Sequence, residues 1–383
     1  MDTIYLDHAA TTPVHPEVVE AMLPYWTGSF GNASSMHGAG RAAKLALNAA
    51  RDRIAAFVGC SSSELIFTSG GTESDNLAIY SAAEAGRSRG AHIVTTQIEH
   101  HAVLHACERL EKLGYEVTYV PVDEYGQVSP EAIREAVRPD TVLISVMHGN
   151  NEVGTLQPIE EIGSFARERG IVFHVDAVQS LAYVPIRLSE LPVDFMSFSA
   201  HKLNGPKGIG ALYIARTARF IPQGYGGSQE RKRRPGTENI PGIAGFGKAV
   251  ELFERNRYES REKVETLRSR LVHELELRLG KEAFLINGHP VERLPHILNV
   301  SFPGIATETM LMNLDLAGVA AASGSACTSG SLETSHVLRA MGLPDSRAGS
   351  AIRFSFGAGN DADQMVRAAQ IVETVVRRLR SKV

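Results

Sequence analysis

Between about residues 65 and 215 the chain alternates short apolar runs with longer segments whose apolar positions recur at helical spacing. The runs Leu65–Thr68, Ile93–Thr96, Val117–Val120, Val142–Met147, Ile171–Asp176, Phe195–Phe198 and Ile209–Ile214 read as strands. Glu73–Arg89, Ala102–Leu113 and Ile159–Arg169 read as helices between them. Strands that are apolar throughout, alternating with helices, predict an α/β domain around a mainly parallel central sheet.

The pattern changes further on. After Gly247 it predicts one long amphipathic helix, with Val264, Leu267, Leu271, Leu275 and Leu279 on one face and Gly280 as its stop. A strand (Ile297–Phe302), a helix (Glu308–Leu316), a loop of small residues (Ala321–Ser331), a strand (Ala351–Phe356) and a final helix follow. This predicts a large α/β domain over residues 15–258. Residues 1–14 and 259–383 form the expected small α+β domain. The 383-residue length agrees, being more than one compact core usually fills.

Composition narrows the class. The chain is 43% hydrophobic and 21% charged, as in water-soluble globular proteins, and its formal net charge is −4. That balance argues against a general nucleic-acid binder, and the short basic run Arg231–Arg234 reads as a surface loop or subunit contact. No run approaches the roughly 18 apolar residues of a membrane span, and the N-terminus lacks the pattern of a secretory signal. Three cysteines without close spacing exclude a disulfide framework and a four-thiolate metal site, so a cytoplasmic setting is expected.

In open α/β sheets ligands bind beyond the carboxyl ends of the strands, so the residues there are the candidates for chemistry. Leu65–Thr68 runs into Ser69-Gly70-Gly71-Thr72-Glu73, a glycine turn opening a helix, which suits either an ordinary N-cap or a phosphate. Ile93–Thr96 leads to His100 and His101, adjacent histidines that are either structural or placed to stack on a planar ring. Val142–Met147 leads to His148-Gly149-Asn150-Asn151-Glu152, a turn whose amides could orient a ring oxygen. A carboxylate ending an apolar strand, as Asp176 does, is costly unless a cation pairs with it, and a protonated pyridine nitrogen is such a cation. Phe195–Phe198 leads to Ser199, His201 and Lys202, whose amine is a candidate for covalent attachment to a carbonyl cofactor. Lysine, aspartate, phosphate turn and stacking histidine, each at a strand end, together describe a pyridoxal 5'-phosphate site.

With these residues the chain resembles the cysteine desulfurases of the NifS/IscS type, within the class V aminotransferases of the fold-type I pyridoxal-phosphate enzymes. The likeness extends over nearly the whole chain. It is carried by Tyr5–Pro13, Phe30-Gly31-Asn32, Thr68–Asn76, Glu99-His100, Asn150-Asn151-Glu152, His174–Gln179, Ser199–Lys202, Arg234–Asn239, Ser323–Ser329 and Arg353-Phe354-Ser355.

The resemblance implies that Lys202 carries the cofactor and moves the substrate Cα proton, that His100 stacks on the ring and mediates proton transfer, and that Asp176 pairs with the pyridine nitrogen. Gln179 and Asn151 are then expected at the phenolic oxygen and the substrate amine. Gly71, Thr72, Ser199 and His201 are expected at the phosphate, and Thr237 at the phosphate of the partner in a homodimer with shared sites. Arg353, helped by Asn32, is expected to hold the carboxylate of L-cysteine.

Cys327, in the small-residue loop, is the implied nucleophile that takes sulfur from L-cysteine and passes it to an acceptor or scaffold protein, as in iron–sulfur cluster assembly. No resident metal is expected, although the resemblance also makes Cys327 a candidate transient iron–sulfur ligand. Cys60, just past a helix-ending glycine, and Cys107, within a helix, read as inert.

The chain departs from the family pattern in three places. Gly71 stands where alanine is frequent, Pro235 lies inside the Arg-x-Gly-Thr element, and the sequence stops at Val383 without the extended tail expected to dock a scaffold. Two alternatives compete with desulfuration. A lyase or aminotransferase needs no loop carrying a nucleophilic cysteine, and a non-catalytic sulfur-transfer adaptor needs neither Lys202 nor Asp176.

Overall fold

The computed structural model describes residues 3–324 and 334–381. Its strands are β1 (Ile4–Tyr5), β2 (Leu65–Thr68), β3 (His92–Thr96), β4 (Glu116–Val120), β5 (Thr141–Ser145) and β6 (Val172–Asp176). They continue as β7 (Phe195–Ser199), β8 (Gly210–Ile214), β9 (Leu285–Asn287), β10 (Ile297–Ser301), β11 (Val319–Ala320) and β12 (Ala351–Ser355).

Seven strands make the central sheet in the order β2-β8-β7-β6-β5-β3-β4. Neighbours from β7 to β4 run parallel, while β8 is antiparallel to both β7 and β2. The sheet is therefore parallel apart from β8. Strands β2, β3, β5, β7 and β8 are buried at every residue. They are covered by helices on both faces, which is why their sequences are apolar without alternation.

Helices Gly71–Gly86 and His101–Glu111 bury Leu77, Ile79, Val103 and Leu110 against Ile66, Ile93 and Leu143 on one face. The opposite face packs Phe173, Val175, Met196 and Phe198 into the larger core with helices Gly38–Val58, Ile159–Arg169 and Ile240–Arg255.

A second, antiparallel sheet has the order β12-β10-β9. Helices Arg257–Leu279 and Ala362–Arg380 pack on it through Leu267, Leu271, Met365 and Val372. The N-terminal segment belongs with these elements: β1 pairs with β11, and Asp7 bridges to Ser355. That route carries Ala9 and Ala10 back over the carboxyl edge of the large sheet, where the carbonyl oxygens of both residues meet Lys202.

The long helix expected after Gly247 is two helices, meeting at Asn256, whose φ of −118° and ψ of 18° close one and open the other. Gly247 lies inside the first of them. A Cβ there would stand 2.8 Å from Ala50 Cβ, so the glycine serves close helix packing and marks no boundary. Gly280 does stop the second helix, and the apolar stripe from Val264 to Leu275 is buried as its spacing predicts.

Candidate active site

The carboxyl ends of β3, β5, β6 and β7 and the helix start after β2 converge on one cavity of about 210 Å³. Lys202, Asp176, His100, Asn151, Gln179, Gly71, Thr72, His201 and Arg353 all line it. These five segments, far apart in sequence, meet there because each leaves the sheet at the same edge.

Lys202 ends a single turn of 3-10 helix after β7. Its Nζ donates to the carbonyls of Ala9 and Ala10, the latter at 2.8 Å. Gln179 Nε2 donates to the same Ala9 oxygen at 2.8 Å, and its Oε1 lies 3.4 Å from His296 Nε2. The N-terminal strap thus holds the lysine head and the glutamine amide side by side.

Asp176 closes β6 and is 6% exposed. Its Oδ1 accepts from the Val178 N–H at 2.9 Å, and no cation pairs with it among the described residues. Burial, and then the nearby Asp75, pushes its carboxyl up to about 6. A buried carboxylate held this way gains most from a cationic partner arriving in the cavity.

Behind it, Asp75 is 1% exposed, and its Oδ1 lies 3.5 Å from His174 Nε2. His174 is fixed from both sides, by Ser145 Oγ at 2.8 Å and Ser197 Oγ at 3.0 Å.

Across the cavity, His100 caps the helix His101–Glu111, with Nδ1 accepting from the Ala102 N–H at 3.1 Å. This bond leaves Nε2 as the protonated nitrogen of the neutral ring. His101, its neighbour, lies outside the cavity lining and packs against His105 and His336.

The helix Gly71–Gly86 points its amino terminus at the cavity, where its unpaired N–H groups and macrodipole favour an anion. Gly70, with φ 154°, turns the chain into it. A Cβ on Gly70 would lie 3.8 Å from Ser199 Oγ, which puts that hydroxyl beside the turn. His201 Nδ1 lies 3.2 Å from Thr11 Oγ1, and burial followed by Lys202 and Lys207 lowers its pKa to about 3. In the cofactor-free site it is therefore a neutral ring.

Arg353, on β12, is 1% exposed. Its Nη1 donates to the Asn151 carbonyl at 2.8 Å and its Nη2 to Asp7 Oδ1 at 2.9 Å. Its buried Nε has no partner. A charged group so enclosed, with a donor unspent beside a cavity, suits a carboxylate ligand.

Two expected site residues lie elsewhere. Asn32 is exposed, with Oδ1 accepting from the Ser34 N–H at 2.8 Å, and Thr237 is exposed; neither lines the cavity. Cys327 lies outside the described residues. Of the other cysteines, Cys107 is buried and Cys60 is half-buried with its thiol pushed up to about 12 by burial and Glu64, so both suit the inert reading.

Asp75 and Ala9-Ala10 were not singled out by sequence reasoning, yet they line the cavity. A signal for Asp75 exists in the polar run Thr72–Asn76, which opens a helix that is otherwise apolar on its inner face.

The site's donor set fits pyridoxal 5'-phosphate. It has an amine for the aldehyde, an unpaired buried carboxylate for the ring nitrogen, an imidazole for the ring face and a helix amino terminus for the phosphate.

Comparison with known proteins agrees. The family model for "Aminotransferase class-V" matches residues 4–367. A cysteine desulfurase IscS of Methanosarcina thermophila is 50% identical over 378 residues, covering 99% of this chain and 93% of the relative. A solved NifS-like protein superposes with a TM-score of 0.92 at 38% identity, covering 98% of this chain and 100% of the other. A solved structure of SspA in complex with cysteine has a TM-score of 0.82, also at 38% identity, covering 93% and 99%. The chain belongs to the class V aminotransferase family of pyridoxal-phosphate enzymes and, within it, to the cysteine desulfurases.

Proposed function

We propose that this protein removes sulfur from L-cysteine, releasing L-alanine and leaving the sulfur as a persulfide on Cys327. The observation that carries the reading is the meeting of Lys202, Asp176 and Arg353 on one cavity, in a chain whose full-length relatives are cysteine desulfurases. In this reaction the substrate C–S bond breaks, sulfur bonds to the Cys327 thiol sulfur, and a proton replaces it on Cβ. Substrate plus thiol equals alanine plus persulfide, and no outside oxidant or reductant enters.

When bound, the cofactor supplies an electron sink that makes the substrate Cα proton acidic. The chain's own groups do the rest. Lys202 would hold the cofactor through its amine and would serve as the base for that proton. Asp176 holds the ring nitrogen protonated. His100, which lines the cavity, covers the ring face and serves as a proton mediator. Gly71, Thr72, Ser199 and His201 hold the phosphate, while Gln179 and Asn151 address the ring oxygen and the substrate amine. Arg353 fixes the substrate carboxylate through the donor it has left. Asn32 joins this clamp only if its loop turns toward the cavity.

The same reading gives a large domain over 15–258 and a small one made of 1–14 and 259–383. It also gives a homodimer in which Thr237 reaches the partner's phosphate. The exposure of Thr237 and its absence from this chain's own cavity lining support that assignment. The persulfide passes to an acceptor or scaffold protein; the IscS name of the relatives favours iron–sulfur cluster assembly as the destination. A thiol that must stay reduced between turnovers suits the cytoplasm. No helix among the described residues is long and apolar enough to cross a membrane.

The test incubates purified protein with L-cysteine and a reductant and measures alanine and sulfide. Cys327→Ala should keep the cofactor's absorbance and its response to L-cysteine while persulfide disappears. Sulfide release at the wild-type rate by that variant would replace the desulfurase reading with a lyase.

A further inference from the structure

Glu152 follows directly on Asn151 and is 1% exposed. Its backbone is fixed from two sides: its N–H donates to Asn150 Oδ1 at 2.8 Å, and its carbonyl accepts from Asn299 Nδ2 at 3.2 Å. Asn150 is anchored in turn by a 3.0 Å bond from Nδ2 to the Ile98 carbonyl. From this held turn the side chain reaches two residues far away in sequence.

The first is Gly324. A Cβ there would stand 2.7 Å from Glu152 Oε2 and 3.3 Å from Oε1, so a side chain at this position would displace the carboxylate. The second is Ser335, whose hydroxyl donates to the same Oε2. Ser335 also caps the helix His336–Ala340, its Oγ accepting from the Leu338 N–H at 3.2 Å. One buried carboxylate thus contacts the residues on either side of segment 325–333, the segment that contains Cys327.

Neighbouring contacts lead to the same elements. Just before Gly324, Ala322 pairs with Arg353 on β12, its N–H donating to the Arg353 carbonyl at 3.1 Å. Just after Ser335, His336 Nε2 lies 3.0 Å from the Glu99 carbonyl, one residue from His100.

We infer that Glu152 is a positioning residue for sulfur transfer: by holding Gly324 and Ser335 together it sets where the Cys327 segment starts and ends relative to the cavity. The inference rests on the desulfurase reading and deepens it. Its physical basis is that attack on the substrate sulfur needs a well-placed thiol, and Gly324 and Ser335 are where the segment bearing that thiol joins the rest of the fold. Glu152 is not part of the cavity lining, so its expected effect is on the thiol step.

The experiment compares wild type, Glu152→Ala, Glu152→Gln, Ser335→Ala and Ser335→Thr, all loaded with cofactor. Single-turnover persulfide on Cys327 is read by mass spectrometry. Elimination of chloride from β-chloro-L-alanine serves as the second readout, because it needs the Cα proton removed but no thiol. Glu152→Ala and Ser335→Ala should lower the persulfide rate about 10- to 100-fold, the loss that a misplacement near 1 Å produces. Cofactor absorbance, the KM for L-cysteine and chloride elimination should stay at wild-type values. Glu152→Gln, whose carbonyl still accepts from Ser335, and Ser335→Thr, which keeps the hydroxyl, should restore most of the rate. Persulfide formation within twofold of wild type in both alanine variants would overturn the inference, as would a parallel loss of chloride elimination. Absence of persulfide on wild-type Cys327 would overturn the desulfurase reading and the inference with it.

Discussion

Gly71 and Val178 face each other across the cavity wall so closely that a Cβ on Gly71 would lie 2.6 Å from Val178 Cγ2. The contact matters because Val178 is tied to the site twice: it lines the cavity, and its N–H holds Asp176 Oδ1. Gly71→Ala is therefore expected to push Val178 and, through it, the carboxylate meant for the cofactor's nitrogen. Overpacking of this kind costs about 1–3 kcal/mol. Cofactor affinity, followed by absorbance titration, should fall, and Val178→Ala in the same chain should recover it. A double-mutant cycle with no coupling between the two positions would show that the wall yields freely.

Arg353 spends two of its donors on Asn151 and Asp7 and keeps Nε for the cavity. Arg353→Lys leaves the charge but loses the fork, so the substrate carboxylate loses a charge-assisted bond worth about 1.5–3 kcal/mol. The expected result is a KM for L-cysteine raised about 10- to 100-fold with kcat nearly unchanged. Asp7→Asn should have a smaller effect of the same kind, because it releases Nη2 without removing it. Steady-state kinetics over a range of L-cysteine concentrations separate the outcomes, and a loss confined to kcat would assign Arg353 to the chemical step.

Glu99 lies wholly inside the protein beneath the site. Its Oε1 accepts from Thr96 Oγ1 at 2.6 Å and from the Met147 N–H at 3.0 Å, while Oε2 has no partner. Burial pushes its carboxyl up to about 8. The folded protein then holds this proton more tightly than the unfolded chain does. Its contribution to stability is complete below pH of about 4.5 and is lost as pH rises through about 8. Glu99→Gln keeps the neutral shape and removes the titration. Chemical denaturation of the cofactor-free protein at pH 6 and pH 9 should show wild type losing stability relative to the variant at the higher pH. Equal changes in both would place the titrating group elsewhere.

Most strands were legible because buried parallel strands are continuous apolar runs: β2 agrees with its sequence reading at both ends, and the other strands of the large sheet differ at their ends by two residues at most. The strand ends were legible for a related reason, since polar residues closing such runs have nowhere to be but the carboxyl edge. Lys202 and Asp176 emerge in this way, whereas Arg353, in the middle of β12, was legible only through the family resemblance. What escaped was decided by contacts between distant segments. Strand β9 is three residues long with Leu285 and Ile286 exposed, so it carries no pattern of burial. Gly247 reads in sequence as the boundary before a long helix, and only Ala50 in another helix explains it. Glu152 reads as an ordinary turn residue until Gly324 and Ser335 are brought to it.

The basic run Arg231–Arg234 is held in place by an acid that precedes it. Glu230 has φ 45°, and Arg231 and Lys232 are also left-handed, an unfavourable backbone for side chains of this kind. What stabilises it is a buried fork: Arg51 Nη1 and Nη2 each reach Glu230 at 2.7 Å, and Glu230 Oε2 accepts from the Phe67 N–H at 3.0 Å. Arg51 adds a bond to the Leu65 carbonyl and lies 4.9 Å over the Phe67 ring. The pair joins helix Gly38–Val58 to β2 and fixes the segment whose Arg234 pairs with Glu73 at the glycine turn. Removing one partner strands the other charge in the interior, at a cost of about 3–5 kcal/mol. Glu230→Gln should therefore lower the unfolding free energy from chemical denaturation by that amount. Replacing both residues, as Arg51→Met with Glu230→Leu, should restore much of the loss, because no unpaired charge remains. A single variant as stable as wild type would mean that the pair contributes little and that packing alone maintains the left-handed turn.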